Sequence, residues 1–139
     1  MAIRTPICDL FGIEHPIVLG GMMGISDGRL TAAVSEAGGL GTLSTATFGP
    51  DGTRQEIEKI TSLTDRPFSL NLPIFHPMIP ELVKLVEKFG VKIVTCSASR
   101  PMVLSTAISP VRRLTTTCIV LTMPMPPINS ETRPITITS

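Results

Sequence analysis

The segment from Pro16 to Leu43 constrains the fold of this chain more than any other part of it. A short apolar run is followed by the glycine-rich turn Gly20-Gly-Met-Met-Gly24, a helical pattern, a Gly-Gly pair and a second apolar run. This order predicts a buried strand over 17–19, a helix and a second strand over 40–44, which together make one βα unit and the start of the next. Because the glycines of the turn carry no side chain, a flat or phosphorylated ligand can approach this backbone closely.

The helix of this first unit is predicted over Gly28–Ala37, with Ser26 or Asp27 as its N-cap. Gly38-Gly39 supplies the residue type that a left-handed C-terminal cap needs. The apolar residues of the helix fall at helical spacing and predict its buried face: Leu30, Ala33, Val34 and Ala37.

The same alternation of strand and helix continues along the chain, with further strands predicted over 68–72 and 91–96. The capping box Thr53-Arg-Gln-Glu56 predicts the start of a helix that turns Ile57, Ile60 and Leu63 inward. Pro80 is suited to the first residue of a third helix, which ends at Gly90. The apolar stripe of that helix is Leu82, Val83, Val86 and Phe89.

A β-α-β-α-β-α-β order with strands repeating every roughly 24 residues predicts a parallel sheet with right-handed crossovers. Two α/β architectures satisfy it, an open doubly wound sheet and part of a (β/α)₈ barrel. In both, ligands bind at the carboxyl ends of the strands. Those ends carry the segments 20–22, 44–45 and 95–96 together with Asn71.

Composition excludes several classes of function. The net charge of +1, with no Trp or Tyr, argues against a nucleic-acid partner. No apolar run approaches the roughly 20 residues of a membrane-spanning helix. Three widely separated cysteines form neither a metal-binding spacing nor a disulfide framework, so a reducing, cytoplasmic location is expected.

The chain changes character after about residue 101, and we divide it into 1–101 and an irregular tail over 102–139. No glycine follows Gly90, and three prolines between 124 and 127 interrupt any long element. Within the tail, Leu114 to Leu121 can form one strand.

Residues 7–96 resemble the amino-terminal part of the nitronate monooxygenase family, formerly called 2-nitropropane dioxygenases, to which the flavin-dependent enoyl-(acyl carrier protein) reductases are related. Each motif is short, but their order and spacing together are specific. The matching segments are Phe11-Gly-Ile-Glu-His-Pro-Ile-Val18, Gly20-Gly-Met22, Ala32-Ala-Val-Ser-Glu-Ala-Gly-Gly-Leu-Gly41, Leu63-Thr-Asp-Arg-Pro-Phe68, Asn71-Leu72 and Val91-Lys-Ile-Val-Thr95.

The resemblance implies a (β/α)₈ barrel that binds FMN without a covalent bond and oxidises alkyl nitronates with O₂ to carbonyl compounds and nitrite. In that family the loop matching Gly20, Gly21, Met22 and Met23 lies against the flavin, and the residue matching Asn71 faces it. These residue types suit the ligand, because a flavin ring needs an apolar floor and a few amide hydrogen bonds at its polar edge.

The departures from the family bear on activity. A complete (β/α)₈ barrel needs about 250 residues, whereas this chain has 139. The family's catalytic histidine and phosphate-binding loops lie beyond the matched region, and neither His15 nor His76 takes that histidine's place. We therefore expect a truncated chain that is weakly active or inactive.

Two alternatives stay open. One is flavin-dependent reduction of an enoyl thioester, since the Gly-Gly-Met signature is shared. The other is a non-catalytic protein that associates with itself through the open edges of a partial barrel.

Cys96, at the end of a strand, has no visible base to activate it as a nucleophile.

Overall fold

The computed structural model describes residues 3–73 and 77–97, and the backbone of residues 117–120. The helices are α1 Pro6–Phe11, α2 Gly28–Glu36, α3 Gly49–Leu63 and α4 Ile79–Phe89, and the strands are β1 Gly41–Ser44, β2 Phe68–Pro73, β3 Ile93–Ser97 and β4 Thr117–Val120. The helix α1 has no counterpart among the elements predicted from the sequence.

The strands form one parallel sheet in the order β1-β2-β3-β4. This confirms the predicted α/β class with parallel pairing. In the register, Asn71 of β2 lies between Ser44 of β1 and Thr95 of β3. Helices connect β1 to β2 and β2 to β3, as crossover connections between parallel strands require.

The strand predicted within Leu114–Leu121 is present as β4, which pairs with β3 in parallel. The remainder of the tail lies outside the described residues, as does its predicted irregular conformation. The division at residue 101 stays a prediction. Within residues 3–73 and 77–97, no helix is long and apolar enough to cross a bilayer.

The predicted first strand is reduced to one parallel bridge between Val18 and Leu40. It is also not buried, since the Ile17 side chain is 61% exposed and Val18 is exposed as well. A strand of a parallel sheet is buried only when both faces and both neighbours cover it. Among the described residues, this segment has β1 on one side alone.

The two faces of the sheet differ in chemistry. One face packs on α3 and α4 and is apolar, with Leu43, Leu70, Leu72, Val94 and Cys96 in the core cluster. Since side chains alternate along a strand, the other face carries polar residues, which are also buried: Thr42, Ser44, Ser69, Asn71 and Thr95. At the amino-terminal ends of the strands, α1 contributes Cys8 and Phe11 to a second apolar cluster with Leu40 and Ile93.

The predicted buried face of α2 is wrong. The helix buries Gly28, Thr31, Ala32 and Ser35, whereas Ala33 and Ala37 are exposed and Leu30 and Val34 are only half-buried. The cause is a close approach to β1. A Cβ added at Gly41 would lie 2.0 Å from the Thr31 carbonyl oxygen, so only small and polar residues fit this contact. The predicted left-handed cap is confirmed at Gly38, whose φ is 87°.

The helix α3 begins at Gly49, four residues before the predicted capping box. Thr53 therefore lies inside the helix, and its buried hydroxyl has no hydrogen-bond partner within the described residues. Ile57 and Ile60 are fully buried as predicted, but Leu63 is 53% exposed because the helix ends there.

The helix α4 agrees with its prediction to within one residue. Pro80 lies in the first turn after Ile79, and Gly90 caps the helix with a φ of 61°. Leu82, Val83 and Val86 are buried, and Phe89 packs against the same core while partly exposed.

Candidate functional site

The glycine-rich loop is tied into a compact turn by Ser26. The Ser26 hydroxyl donates to the Gly20 carbonyl oxygen at 3.0 Å and accepts from the Met22 N–H at 3.0 Å. The Ser26 N–H also donates to the Met22 carbonyl oxygen at 2.9 Å. Ser26 therefore shapes the loop instead of capping α2; the cap is Asp27, whose carboxylate accepts from the Leu30 N–H at 2.9 Å.

Two hydrogen bonds place this loop at the carboxyl end of β1. The Ser44 N–H donates to the Ser26 carbonyl oxygen at 3.0 Å, and the Gly24 N–H donates to the Thr47 hydroxyl at 2.9 Å. Gly24 has a φ of 75°, in the left-handed region that favours glycine. The loop thus occupies the edge of the sheet where parallel α/β proteins bind ligands.

Asn71 is the buried centre of a polar cluster at the same edge, with only 4% of its surface exposed. Its Nδ2 donates to the Thr95 hydroxyl at 3.1 Å, and its Oδ1 accepts from the Ser97 hydroxyl at 3.1 Å. Its backbone carbonyl accepts from the Thr45 hydroxyl at 2.8 Å. A primary amide offers two donors and two acceptor positions, so one N–H and one Oδ1 position have no partner among the described residues.

The structure brings Gly21 directly against Asn71. A Cβ added at Gly21 would lie 2.6 Å from the Asn71 Cβ and 2.7 Å from its Cγ. A side chain at position 21 therefore has no room beside Asn71. At Gly20, by contrast, an added Cβ meets nothing within 4 Å.

Met22 and Met23 project outward from the loop, 40% and 66% exposed, as does Ile25. They are not core residues. These exposed thioether side chains give the loop an adaptable apolar surface.

The other residues considered from the sequence lie elsewhere. His15 packs beside Gly38, before β1 begins, and its backbone N–H donates to the Gly38 carbonyl oxygen at 2.9 Å. Cys96 is buried in the helix-side core. His76 lies outside the described residues.

The pKa of Arg4 is raised by its hydrogen bond and ion pair with Asp9 of α1. The helix α1 packs at the amino-terminal ends of the strands, whereas Asn71 lies at the carboxyl edge. In the part of the chain that the structure describes, no group of three His, Cys, Asp or Glu side chains can hold a metal ion.

Sequence reasoning missed the roles of Thr47 and Ser97. One signal was available, because polar residues alternate within strands that are otherwise apolar: Thr42 and Ser44, Ser69 and Asn71, Thr95 and Ser97. In a parallel strand covered on both faces, a polar residue at every second position indicates one polar face.

A parallel α/β sheet carries a glycine-rich loop over a buried amide at its carboxyl edge, which is the edge where α/β proteins bind their ligands. The sequence profile described as nitronate monooxygenase matches residues 4–117, and the chain belongs to this family of enzymes. This confirms the resemblance drawn from the motifs.

Individual relatives agree with this assignment. The chain is 39% identical over 93 residues to (3aS,4S,5R,7aS)-5-hydroxy-7a-methyl-1-oxo-octahydro-1H-indene-4-carboxyl-CoA dehydrogenase of Mycobacterium tuberculosis, covering 67% of this chain and 26% of the relative. It is 43% identical over 74 residues to nitronate monooxygenase of Paraburkholderia phytofirmans, covering 53% of this chain and 20% of that protein. The chain thus spans about a quarter or less of the length of these curated relatives.

Solved structures share the architecture. FabK from Thermotoga maritima superposes with a TM-score of 0.79 at 37% identity, covering 86% of this chain and 37% of FabK. Nitroalkane oxidase from Streptomyces ansochromogenes superposes with a TM-score of 0.64 at 26% identity, covering 84% of this chain and 42% of that protein.

Proposed function

We propose that this chain forms the flavin-facing part of an FMN-dependent oxidoreductase of the nitronate monooxygenase type, which oxidises an alkyl nitronate with O₂ to a carbonyl compound and nitrite. The observation that carries the proposal is the convergence of the Gly20–Met23 loop on Asn71 at the carboxyl edge of the parallel sheet. Membership of the family supports the class of reaction.

The residues at this edge fit the ring of FMN. The Nδ2 N–H and the Oδ1 acceptor position of Asn71 that have no partner among the described residues match a ring edge that carries both acceptors and a donor. The open backbone at Gly20 allows close approach, and the missing side chain of Gly21 leaves room for Asn71. Met22 and Met23 supply apolar contact. When bound, FMN supplies the electron-accepting and oxygen-activating chemistry, while these residues bind the ring, orient it and exclude water from its face.

We also propose that the chain is part of a (β/α)₈ barrel in a cytoplasmic enzyme, and that the 139-residue polypeptide alone is weakly active or inactive. The family resemblance assigns the catalytic histidine and the phosphate loops to segments beyond the match. Nitronate turnover by the purified chain, comparable to that of its long relatives, would contradict this.

The binding proposal is tested by titrating FMN with the purified chain and following flavin fluorescence and the visible spectrum. We expect saturable quenching for the wild-type chain and for Ser69→Ala, and weaker binding for Asn71→Leu. Riboflavin has the ring without the phosphate, so ring-directed binding predicts similar affinities for riboflavin and FMN. A chain that is folded by circular dichroism and binds neither flavin would refute the proposal.

A second candidate is reduction of an enoyl thioester by NAD(P)H. The superposition on FabK favours it, and the similarity to a carboxyl-CoA dehydrogenase favours a thioester substrate. Because we propose that this chain alone is weakly active or inactive, the two reactions are separated in one assay on a complete, flavin-loaded homologue. NAD(P)H oxidation that requires an enoyl thioester supports this candidate, and O₂ consumption that requires a nitronate supports the first.

A third candidate is self-association, and the edge at Val18 favours it. Within the described residues, the N–H and C=O of Val18 form no hydrogen bond, because the bridge to β1 uses the Ile17 carbonyl oxygen and the Leu19 N–H. The neighbouring Ile17 is exposed as well. Such an edge can pair with the same edge of a second copy.

The test of this candidate is the molar mass of the chain as a function of concentration. Val18→Pro removes the unused N–H while sparing the internal bridge, so it should shift the protein to monomer, whereas Val18→Thr should not. A dimer that persists in Val18→Pro would exclude this edge.

A further inference from the structure

We infer that Thr95 and Ser97 are positioning residues, which hold the side-chain amide of Asn71 in one orientation at the ligand site. The inference concerns residues outside the loop that we propose contacts the flavin, and it rests on the proposed flavin site. Both residues belong to β3, whereas Asn71 belongs to β2, so the neighbouring strand determines what the amide presents.

The Leu70 carbonyl determines the direction of the hydrogen bond between Thr95 and Asn71. The carbonyl oxygen of Leu70 can only accept, and the Thr95 hydroxyl donates to it in a long contact of 3.5 Å. Because that proton is used, the Thr95 oxygen acts as an acceptor toward Asn71, whose Nδ2 lies 3.1 Å away. The nitrogen end of the amide therefore faces Thr95.

Ser97 fixes the other end. Its hydroxyl donates to the Asn71 Oδ1 at 3.1 Å. A flipped amide would direct Oδ1 at Thr95 and force that hydroxyl to leave the Leu70 carbonyl. Thr95 is fully buried, so no water replaces this contact, and the flip costs its energy although Leu70 stays paired in the β2–β3 ladder.

The consequence for the ligand is a defined donor and acceptor. Nδ2 keeps one N–H and Oδ1 keeps one acceptor position, at fixed places on the carboxyl edge of the sheet. A heteroaromatic ring with an acceptor next to an N–H can satisfy both, whereas the flipped amide would oppose acceptor to acceptor and donor to donor. Thr95 and Ser97 thereby select the order of polar groups on the ligand.

A matched pair of hydroxyls on the same sheet face serves as the control. The Thr42 and Ser69 oxygens lie 2.6 Å apart, both buried, two residues before the carboxyl-edge cluster along their strands. They touch no side-chain amide in the described hydrogen bonds. Ser69→Ala therefore removes a buried hydroxyl from the same face without touching Asn71.

The experiment compares Thr95→Val, Ser97→Ala, Thr95→Ser and Ser69→Ala by two readouts. The first is the side-chain amide signal of Asn71 in the flavin-free chain, measured by ¹⁵N–¹H NMR. We expect slow hydrogen exchange at Nδ2 in the wild-type chain, in Thr95→Ser and in Ser69→Ala, and faster exchange in Thr95→Val. The second is the dissociation constant for FMN, measured by fluorescence quenching.

Thr95→Val and Ser97→Ala each remove one hydrogen bond that orients the Asn71 amide. We expect each variant to bind FMN about tenfold more weakly than the wild-type chain. Thr95→Ser and Ser69→Ala should stay within about twofold of wild type. Wild-type affinity in Thr95→Val, together with weak binding by Asn71→Leu, would overturn the inference while leaving the flavin site intact. If the wild-type chain binds no FMN, the proposed function fails, and an unchanged Asn71 exchange rate in Thr95→Val would separately refute the positioning role.

Discussion

Replacing Gly21 with alanine is the sharpest test of how the loop and the strand edge fit together. The added methyl carbon would lie 2.6 Å from the Asn71 Cβ and 2.7 Å from its Cγ. Real Cβ contacts essentially never fall below 3.0 Å, so one of the two partners has to move. Asn71 resists, since the hydroxyls of Thr95 and Ser97 hold its amide at both ends.

The expected magnitude follows from these contacts. Overpacking of a tight site costs about 1–3 kcal/mol, and displacing the amide forfeits hydrogen bonds worth about 1 kcal/mol each. Gly21 has no left-handed φ, so the entropic benefit of replacing glycine offsets about 0.4–1 kcal/mol. We expect Gly21→Ala to lower the free energy of unfolding by about 2 kcal/mol.

The adjacent glycine provides the control. At Gly20 an added Cβ meets nothing within 4 Å, and its φ is also outside the left-handed region. Gly20→Ala should therefore be neutral or stabilising by up to about 1 kcal/mol. Both variants are compared by urea denaturation followed by circular dichroism. Equal midpoints for the two variants would refute the packing of Gly21 on Asn71.

Three further substitutions test the core and the caps by the same denaturation assay. Thr53→Val removes a buried hydroxyl that has no partner in the described residues and should raise the free energy of unfolding by about 1 kcal/mol; a destabilised variant would reveal a partner for that oxygen. Ile60→Ala should lower the free energy of unfolding by about 2–5 kcal/mol because Ile60 is fully buried. Leu63→Ala, at an exposed helix end, should lower it by less than about 0.5 kcal/mol. Similar losses for both variants would contradict the observed end of α3. Asp27→Ala should cost about 1 kcal/mol through loss of the N-cap, with Asp27→Asn close to wild type; a large loss in Asp27→Asn would show that charge, not capping, matters there.

The elements that could be predicted are those whose local sequence is sufficient to define them. Gly38 and Gly90 cap their helices with a positive φ because glycine adopts that conformation without a steric cost. The stripe of α4 was predictable since Leu82, Val83 and Val86 are apolar at helical spacing and the opposite face is charged.

One error arises from a tertiary contact and another from the position at which a helix begins. The buried face of α2 follows from the proximity of its backbone to Gly41, which admits Thr31 and Ser35 and excludes larger side chains. The start of α3 at Gly49 moved Thr53 into the helix interior, although Thr53–Glu56 has the spacing of a capping box. Local patterns rank candidate faces and ends, but the neighbouring strand decides among them.

By itself, the sequence determined the alternation of strands and helices, the parallel sheet that such an order implies, and the family, because these depend on periodicity and on motifs close together in the chain. It also singled out the Gly20–Met23 loop and Asn71 as separate candidates. Only the tertiary structure placed Gly21 against Asn71 and gave that amide its partners Thr95 and Ser97. The register between strands, which no local pattern encodes, brings residues more than 20 positions apart to one edge.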